Sequence, residues 1–373
     1  MNRLKALTTH GQSLWLDYIR RSFVTDGDLR RLIDHDGLTG VTSNPAIFAE
    51  AISSGDEYEA ALRRAAEKGE TADQAYDRVA IADVQLAADQ FREVFERTGG
   101  RDGYVSLEVS PHVAHDTGKT LSQARDLWAR LDRANVFIKV PATEAALPAI
   151  RTLIADGINI NVTLLFSLVR YRAVVDAFFG GLEDRHAAGR PIDRVASVAS
   201  FFLSRIDLAV DPMLEELAQR NAQHAALAAR LRGRVAIACA KQAYQDFRTL
   251  HASERFRRLA AAGARPQRLL WASTSTKNPE ERDVRYVEAL IGPDTINTLP
   301  RKTLEAFRDH GEAAPRLEEG LDDMRAILRE LDATAIDLEA VSRQLEEEGL
   351  KKFSEPFDKL QEELVAKLAQ FQT

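Results

Sequence analysis

A single lysine interrupts an otherwise apolar run, Asn135-Val-Phe-Ile-Lys-Val-Pro-Ala-Thr143. An ammonium is costly to bury without a partner, so burial pushes such a lysine toward the neutral amine. A neutral, desolvated amine is a nucleophile that can condense with a carbonyl to give a Schiff base. A lysine at a strand end can equally lay its stem on apolar surface and keep its charge in water. What decides between the two is the company Lys139 keeps.

Side chains alternate faces along a strand, so that company can be read by parity. Val136, Ile138 and Val140 share one face and Lys139 takes the other. In the preceding run Val105, Leu107 and Val109 oppose Ser106, Glu108 and Ser110; in the following one Ile160, Val162 and Leu164 oppose Asn161 and Thr163. Near the start, Leu14 and Leu16 oppose Asp17, and Asn44 opposes Val41 and Ser43. If the aliphatic faces pack under helices, then Asp17, Asn44, Glu108, Lys139, Asn161 and Thr163 converge on the opposite side. A buried salt-bridge network of Asp17, Glu108 and Lys139 is the structural alternative.

The elements that must position these residues alternate along the chain. Strand-like runs are Gln12 to Ile19, Gly40 to Pro45, Gly103 to Ser110, the lysine run, Gly157 to Phe166, Arg194 to Ser200, Arg234 to Cys239, and Arg268 to Thr274 as the last. Helical periods separate them, including one from Asp26, a plausible N-cap, to Asp34. Residues 55–98 read as a helical insertion and the charged tail from about 301 to 373 as further helices. About eight Val-, Ile- and Leu-rich strands alternating with helices fit a parallel sheet buried on both faces. The count fits a single-domain (β/α)8 barrel over residues 1–373, with active-site residues at the C-terminal mouth. An open doubly wound sheet would want a Gly-x-Gly-x-x-Gly turn, and none is present.

Composition narrows the function classes. Among 373 residues, 45% are hydrophobic and 29% charged, as in an ordinary globular protein. Net charge is −7, from 50 basic and 57 acidic residues, which argues against a nucleic-acid partner. The one cysteine, Cys239, allows no intrachain disulfide. No apolar run reaches the ~20 residues of a membrane span, and residues 1–7 lack the apolar core of a signal peptide. A cytoplasmic enzyme without membrane contact is the expectation.

Several stretches resemble the signatures of the transaldolase family: Gly40-Val-Thr-Ser-Asn-Pro-Ala-Ile-Phe48, Val136-Phe-Ile-Lys-Val-Pro-Ala-Thr143 and Asn161-Val-Thr-Leu-Leu-Phe-Ser167. Gly11 to Asp17, the Glu108 run, Ser197 to Arg205, Trp271 to Pro279 and Glu346-Glu-Glu-Gly-Leu-Lys-Lys-Phe353 follow the same pattern, in order and over nearly the whole chain. The longer bacterial branch is the most similar. The resemblance implies a (β/α)8 barrel and a transferase of the non-oxidative pentose phosphate pathway, with neither metal nor organic cofactor. Such an enzyme moves a dihydroxyacetone unit from sedoheptulose 7-phosphate to glyceraldehyde 3-phosphate, giving erythrose 4-phosphate and fructose 6-phosphate. Homodimers are common in the family.

By the same resemblance Lys139 is the Schiff-base lysine and Asp17 the acid/base, while Glu108 and Thr163 hold the catalytic water. Asn44, Asn161 and Ser200 contact substrate hydroxyls, and Arg205 and Lys277 bind phosphate. Another branch has Arg at the Lys277 position. Phe202 and Glu108 favour transferase over the related simple aldolases, which tend to carry Tyr and Gln there. The competing readings are a lyase releasing free dihydroxyacetone, a catalytically silent sugar-phosphate-binding barrel and a metal-dependent barrel hydrolase. Lys241, read as ending the Arg234 run, is a rival amine. His112 and His115 are too few for a metal site.

Overall fold

A computed structural model describes residues 2–372. Its strands are β1 (Gln12–Asp17), β2 (Leu38–Thr42), β3 (Tyr104–Glu108), β4 (Val136–Pro141), β5 (Ile160–Leu165), β6 (Ser197–Phe202), β7 (Arg268–Ala272) and β8 (Thr295–Leu299). Each pairs in parallel with its sequence neighbour, and β8 closes on β1, so the sheet is a closed barrel in chain order. The right-handed βα unit dictates this arrangement, because each helix must return over the sheet to start the next parallel strand.

Both faces of the barrel wall are largely buried. Outward Val105, Leu107, Ile138, Ile160 and Val162 are buried under helices. Inside, the lower layer is aromatic, with the rings of Trp15, Tyr104 and Phe137 in mutual contact, Tyr104 and Phe137 at 4.3 Å. Gly40 makes room for this layer, since a Cβ there would lie 2.5 Å from the Trp15 ring. Beside these rings the buried Arg268 guanidinium donates to Asp102, which also accepts the Ser13 hydroxyl and the Trp15 indole N–H.

The expected alternation holds with two exchanges. Arg234 to Cys239 is not a strand: the helix Val235–His251 runs through it. Its buried Val235, Ala236, Cys239, Ala240, Ala243 and Phe247 recur at helical spacing, so the apparent period of two came from Ala filling in between. The last strand is not β7 but β8, whose Thr295-Ile-Asn-Thr-Leu299 is too polar to announce a buried strand. Asp26 caps no following helix; it closes Arg21–Thr25, and left-handed Gly27 opens the next turn. Past β2, Asn44 is the N-cap and Pro45 lies in the first turn of the helix Pro45–Ser53, so the strand-like run ends at Thr42.

Residues 55–98 are helical, with Ala72–Arg97 started by a Thr71–Gln74 capping box. The tail forms helices Arg301–His310, Leu321–Asp332 and Leu338–Gln372. The last of these packs on the helices Pro45–Ser53, Glu59–Glu67 and Ala72–Arg97 and on the end of β5. At Gly349 it runs so near that a Cβ would come within 2.9 Å of Leu164. Leu164 itself takes φ +57 at a break in the β5–β6 register, a conformation costing about 1–2 kcal/mol for a side-chain-bearing residue.

Candidate active site

Parallel register puts Glu108, Lys139 and Asn161 side by side on β3, β4 and β5. Lys139 Nζ lies 2.9 Å from a Glu108 carboxylate oxygen and donates to the Ser43 carbonyl at 3.1 Å. Both side chains are almost wholly buried, at 5% and 3% exposure. Burial pushes the Glu108 carboxyl above its ordinary range; the adjacent Lys139 opposes this and Asp17 adds to it. The Phe353 ring, from the C-terminal helix, stands 5.6 Å from Nζ.

Asp17 closes β1 on the same cavity. Its carboxylate accepts the Thr42 hydroxyl at 2.7 Å, and Thr42 meets the Thr298 hydroxyl at 2.8 Å. Burial raises the Asp17 pKa, while Lys139, Thr42 and Arg205 pull it back. Two carboxyls with raised pKa therefore flank one amine, an arrangement suited to proton transfer.

A cavity of about 160 Å³ occupies the mouth, bordered by Asp17, Asn44, Lys139, Thr163, Ser200 and Phe202, with Arg205 and Lys277 farther out. Asn44 Oδ1 accepts the Ile47 amide at 3.0 Å, which fixes the side chain as a helix cap and leaves its NH2 for the cavity. Thr163 Oγ1 is buried without a hydrogen-bond partner. Asn161 does not border the cavity. Its amide donates to Ser106 Oγ at 3.1 Å and accepts Ser200 Oγ at 2.7 Å, so it braces Ser200 from beneath. Phe202 packs against Phe166 at 5.3 Å, with the Arg205 guanidinium 5.7 Å from its ring.

The outer end of the cavity is cationic. Among the described residues, Arg205 and Lys277 form no ion pair, and Arg205 Nη1 is buried with no hydrogen-bond partner. Lys277 donates to Ser275 Oγ at 2.7 Å, and burial, Arg205 and Lys352 together lower its pKa. Two cations brought together without an ion-pair partner, with only Glu348 and Asp17 acting on Arg205 from a distance, are what an anionic group would relieve.

The family model described as Transaldolase/Fructose-6-phosphate aldolase matches residues 14–364. The chain belongs to that family. It is 44% identical over 373 residues to Transaldolase 2 of Nostoc sp., covering 99% of this chain and 98% of the relative. It is 45% identical over 360 residues to a transaldolase of Thiobacillus denitrificans, covering 96% and 99%. A Thermobifida fusca transaldolase is 44% identical over 367 residues, covering 98% of each. This member of the transaldolase family is an enzyme with its relatives' transferase activity, and the family's substrates are phosphorylated sugars.

The structure also separates the site from its rivals. Lys241 lies on the helix Val235–His251, outside the barrel, where Nζ donates to the Arg316 and Glu319 carbonyls at 2.9 and 2.6 Å. His112 and His115 are exposed and paired with Asp358 and Glu347. Among the described residues no group of three or more His, Cys, Asp or Glu could hold a metal, and no helix is long and apolar enough to cross a membrane. Sequence reasoning missed Thr42 and Phe353 as cavity residues. Thr42 shares the face of Asn44 and was available by parity; Phe353 lies 54 residues past the end of the last strand, β8 (Thr295–Leu299), and nothing local brings it to the mouth.

Proposed function

We propose that this transaldolase-family enzyme transfers a dihydroxyacetone unit from sedoheptulose 7-phosphate to glyceraldehyde 3-phosphate through an imine on Lys139. The observation that carries this reading is the buried Lys139 amine, 2.9 Å from Glu108 on a cavity that it shares with Asp17. Lys139 attacks the ketose C2 carbonyl, and the carbinolamine loses water to give an iminium. Glu108 and Thr163 handle that water, the carboxyl supplying the proton and the hydroxyl both donating and accepting.

Asp17 then removes the proton of the C4 hydroxyl as the C3–C4 bond breaks, its electrons flowing into the iminium to form an enamine. The aldose phosphate leaves, the acceptor aldehyde enters, and Asp17 returns the proton as the new bond forms. Hydrolysis of the second imine frees Lys139. Asn44 and Ser200 hold sugar hydroxyls, with Asn161 fixing Ser200, and Phe202 closes the side of the imine. Arg205 and Lys277 take the phosphate, Arg as a fork and Lys as a point charge. The only cysteine, Cys239, is buried and unpaired, which suits a reducing cytoplasm; cell fractionation checks that placement.

The test is borohydride reduction with fructose 6-phosphate, followed by peptide mass. The adduct is expected on Lys139; an adduct on Lys241, or turnover surviving Lys139→Ala, rejects the assignment. The family description names an aldolase as well. Incubation of the ketose without acceptor separates the two activities, since a lyase accumulates free dihydroxyacetone and a transferase holds it as the enamine.

A further inference from the structure

Glu108 does not border the cavity that holds the sugar. It lines a second cavity of about 340 Å³, shared with Tyr76, Val113 and Phe357. Asp73 and His112, both exposed, also line it, so it communicates with solvent. The Lys139–Glu108 pair thus stands between two cavities, Lys139 bordering one and Glu108, with its strand neighbours Leu107 and Val109, the other. Tyr76 comes from the helix Ala72–Arg97, its ring held edge-on by Phe48 at 6.0 Å and Phe357 at 5.1 Å. Burial keeps its hydroxyl protonated, with Asp77 and Glu108 adding to the effect.

Each imine cycle releases one water and later consumes one, and the sugar occupies the mouth while both events occur. We propose that Glu108 passes water and protons between the imine and bulk solvent through this second cavity, with the Tyr76 hydroxyl orienting its carboxyl. The inference rests on the Schiff-base reading of Lys139. In the forward step the C2–O bond of the carbinolamine breaks, the neutral Glu108 carboxyl gives its proton, and water leaves into the cavity. In the return step a water from the cavity bonds to C2 while the Glu108 carboxylate takes its proton. Tyr76 is a positioning residue and does not touch the sugar.

Fructose 6-phosphate labelled with heavy oxygen at C2 reads this traffic. Label is lost to solvent only if the released water departs before re-adding, so label loss is measured per imine formed, after subtracting enzyme-free exchange. Val113→Trp, which fills the cavity, and Tyr76→Phe, which keeps both ring contacts, should each retain label several-fold longer than the wild type. If Val113→Trp fails to fold, Tyr76→Phe alone decides. Label loss per imine at the wild-type ratio in the folded variants overturns the route while leaving the imine chemistry intact. A wild-type enzyme that neither loses label nor is trapped at Lys139 overturns the Schiff-base reading, and the route with it.

Discussion

Thr42 donates its hydroxyl to the Asp17 carboxylate at 2.7 Å, and that bond is one of the forces holding the Asp17 pKa down against burial. On the proposed mechanism Asp17 must be ionised to take the C4 hydroxyl proton, so Thr42 would help set the acid limb of the rate profile. Thr42→Val removes the donor at nearly constant shape. The low-pH limb of kcat/KM should move to higher pH, whereas Thr42→Ser should restore it. Superimposable profiles for Val and wild type would remove Thr42 from this role.

Much of this site was legible because parallel strands make parity sufficient. In the sequence Glu108, Lys139 and Thr163 are separated by helices, yet each sits on the face opposite its strand's aliphatic residues, and register then sets Glu108 beside Lys139. Parity says which way a side chain points but not at what depth. Asn161 therefore read as a cavity residue although its amide is committed to Ser106 and Ser200 below the floor. The strand count came out at eight through two opposite errors, Val235–His251 read as strand and polar Thr295–Leu299 passed over. Phe353 was beyond reach, because its place depends on how Leu338–Gln372 crosses the barrel at Gly349.

Asp17 pits stability against activity. Its folded pKa is raised, so the stability it contributes is fully present below the ordinary 3.8 and is lost as pH rises through the folded value. At neutral pH the fold carries a buried carboxylate that Asn would not. Asp17→Asn should unfold at higher urea than wild type at pH 7, with the gap closing as pH falls below 3.8. Turnover should fall roughly 10²- to 10⁴-fold while the borohydride adduct still forms. Equal urea midpoints at pH 7 would contradict the electrostatic account, and an intact rate would contradict the catalytic one.

The cationic end of the cavity should be felt in binding. If Arg205 and Lys277 hold the phosphate as proposed, Arg205→Ala and Lys277→Ala each remove a charge-assisted contact, of the kind contributing about 1.5–3 kcal/mol, so KM for fructose 6-phosphate should rise roughly 10- to 100-fold. The loss at Arg205 should be the larger, because a fork is replaced by nothing whereas Lys277 is an exposed point charge. Neither variant should change KM for unphosphorylated fructose. A parallel rise for both sugars would mean that these residues hold the barrel mouth together rather than the phosphate.

On the proposed imine mechanism, Phe353 is placed to govern what meets the enamine. Its ring covers Lys139 from the mouth side at 5.6 Å, carried there by a helix that needs Gly349 to pass Leu164. A transferase must keep the three-carbon fragment on the enzyme until an aldehyde arrives; solvent that protonates the enamine at C3 and then adds to C2 of the resulting iminium converts transfer into release. Phe353→Ala removes that cover and an aromatic–cation contact of about 0.5–2 kcal/mol. With limiting erythrose 4-phosphate as acceptor, the variant should release more free dihydroxyacetone per ketose cleaved, and Phe353→Leu should lie between the two. Measuring the ratio of free fragment to transfer product removes any general loss of activity. An unchanged ratio in Phe353→Ala would show that water is excluded by the bound sugar itself and not by the C-terminal helix.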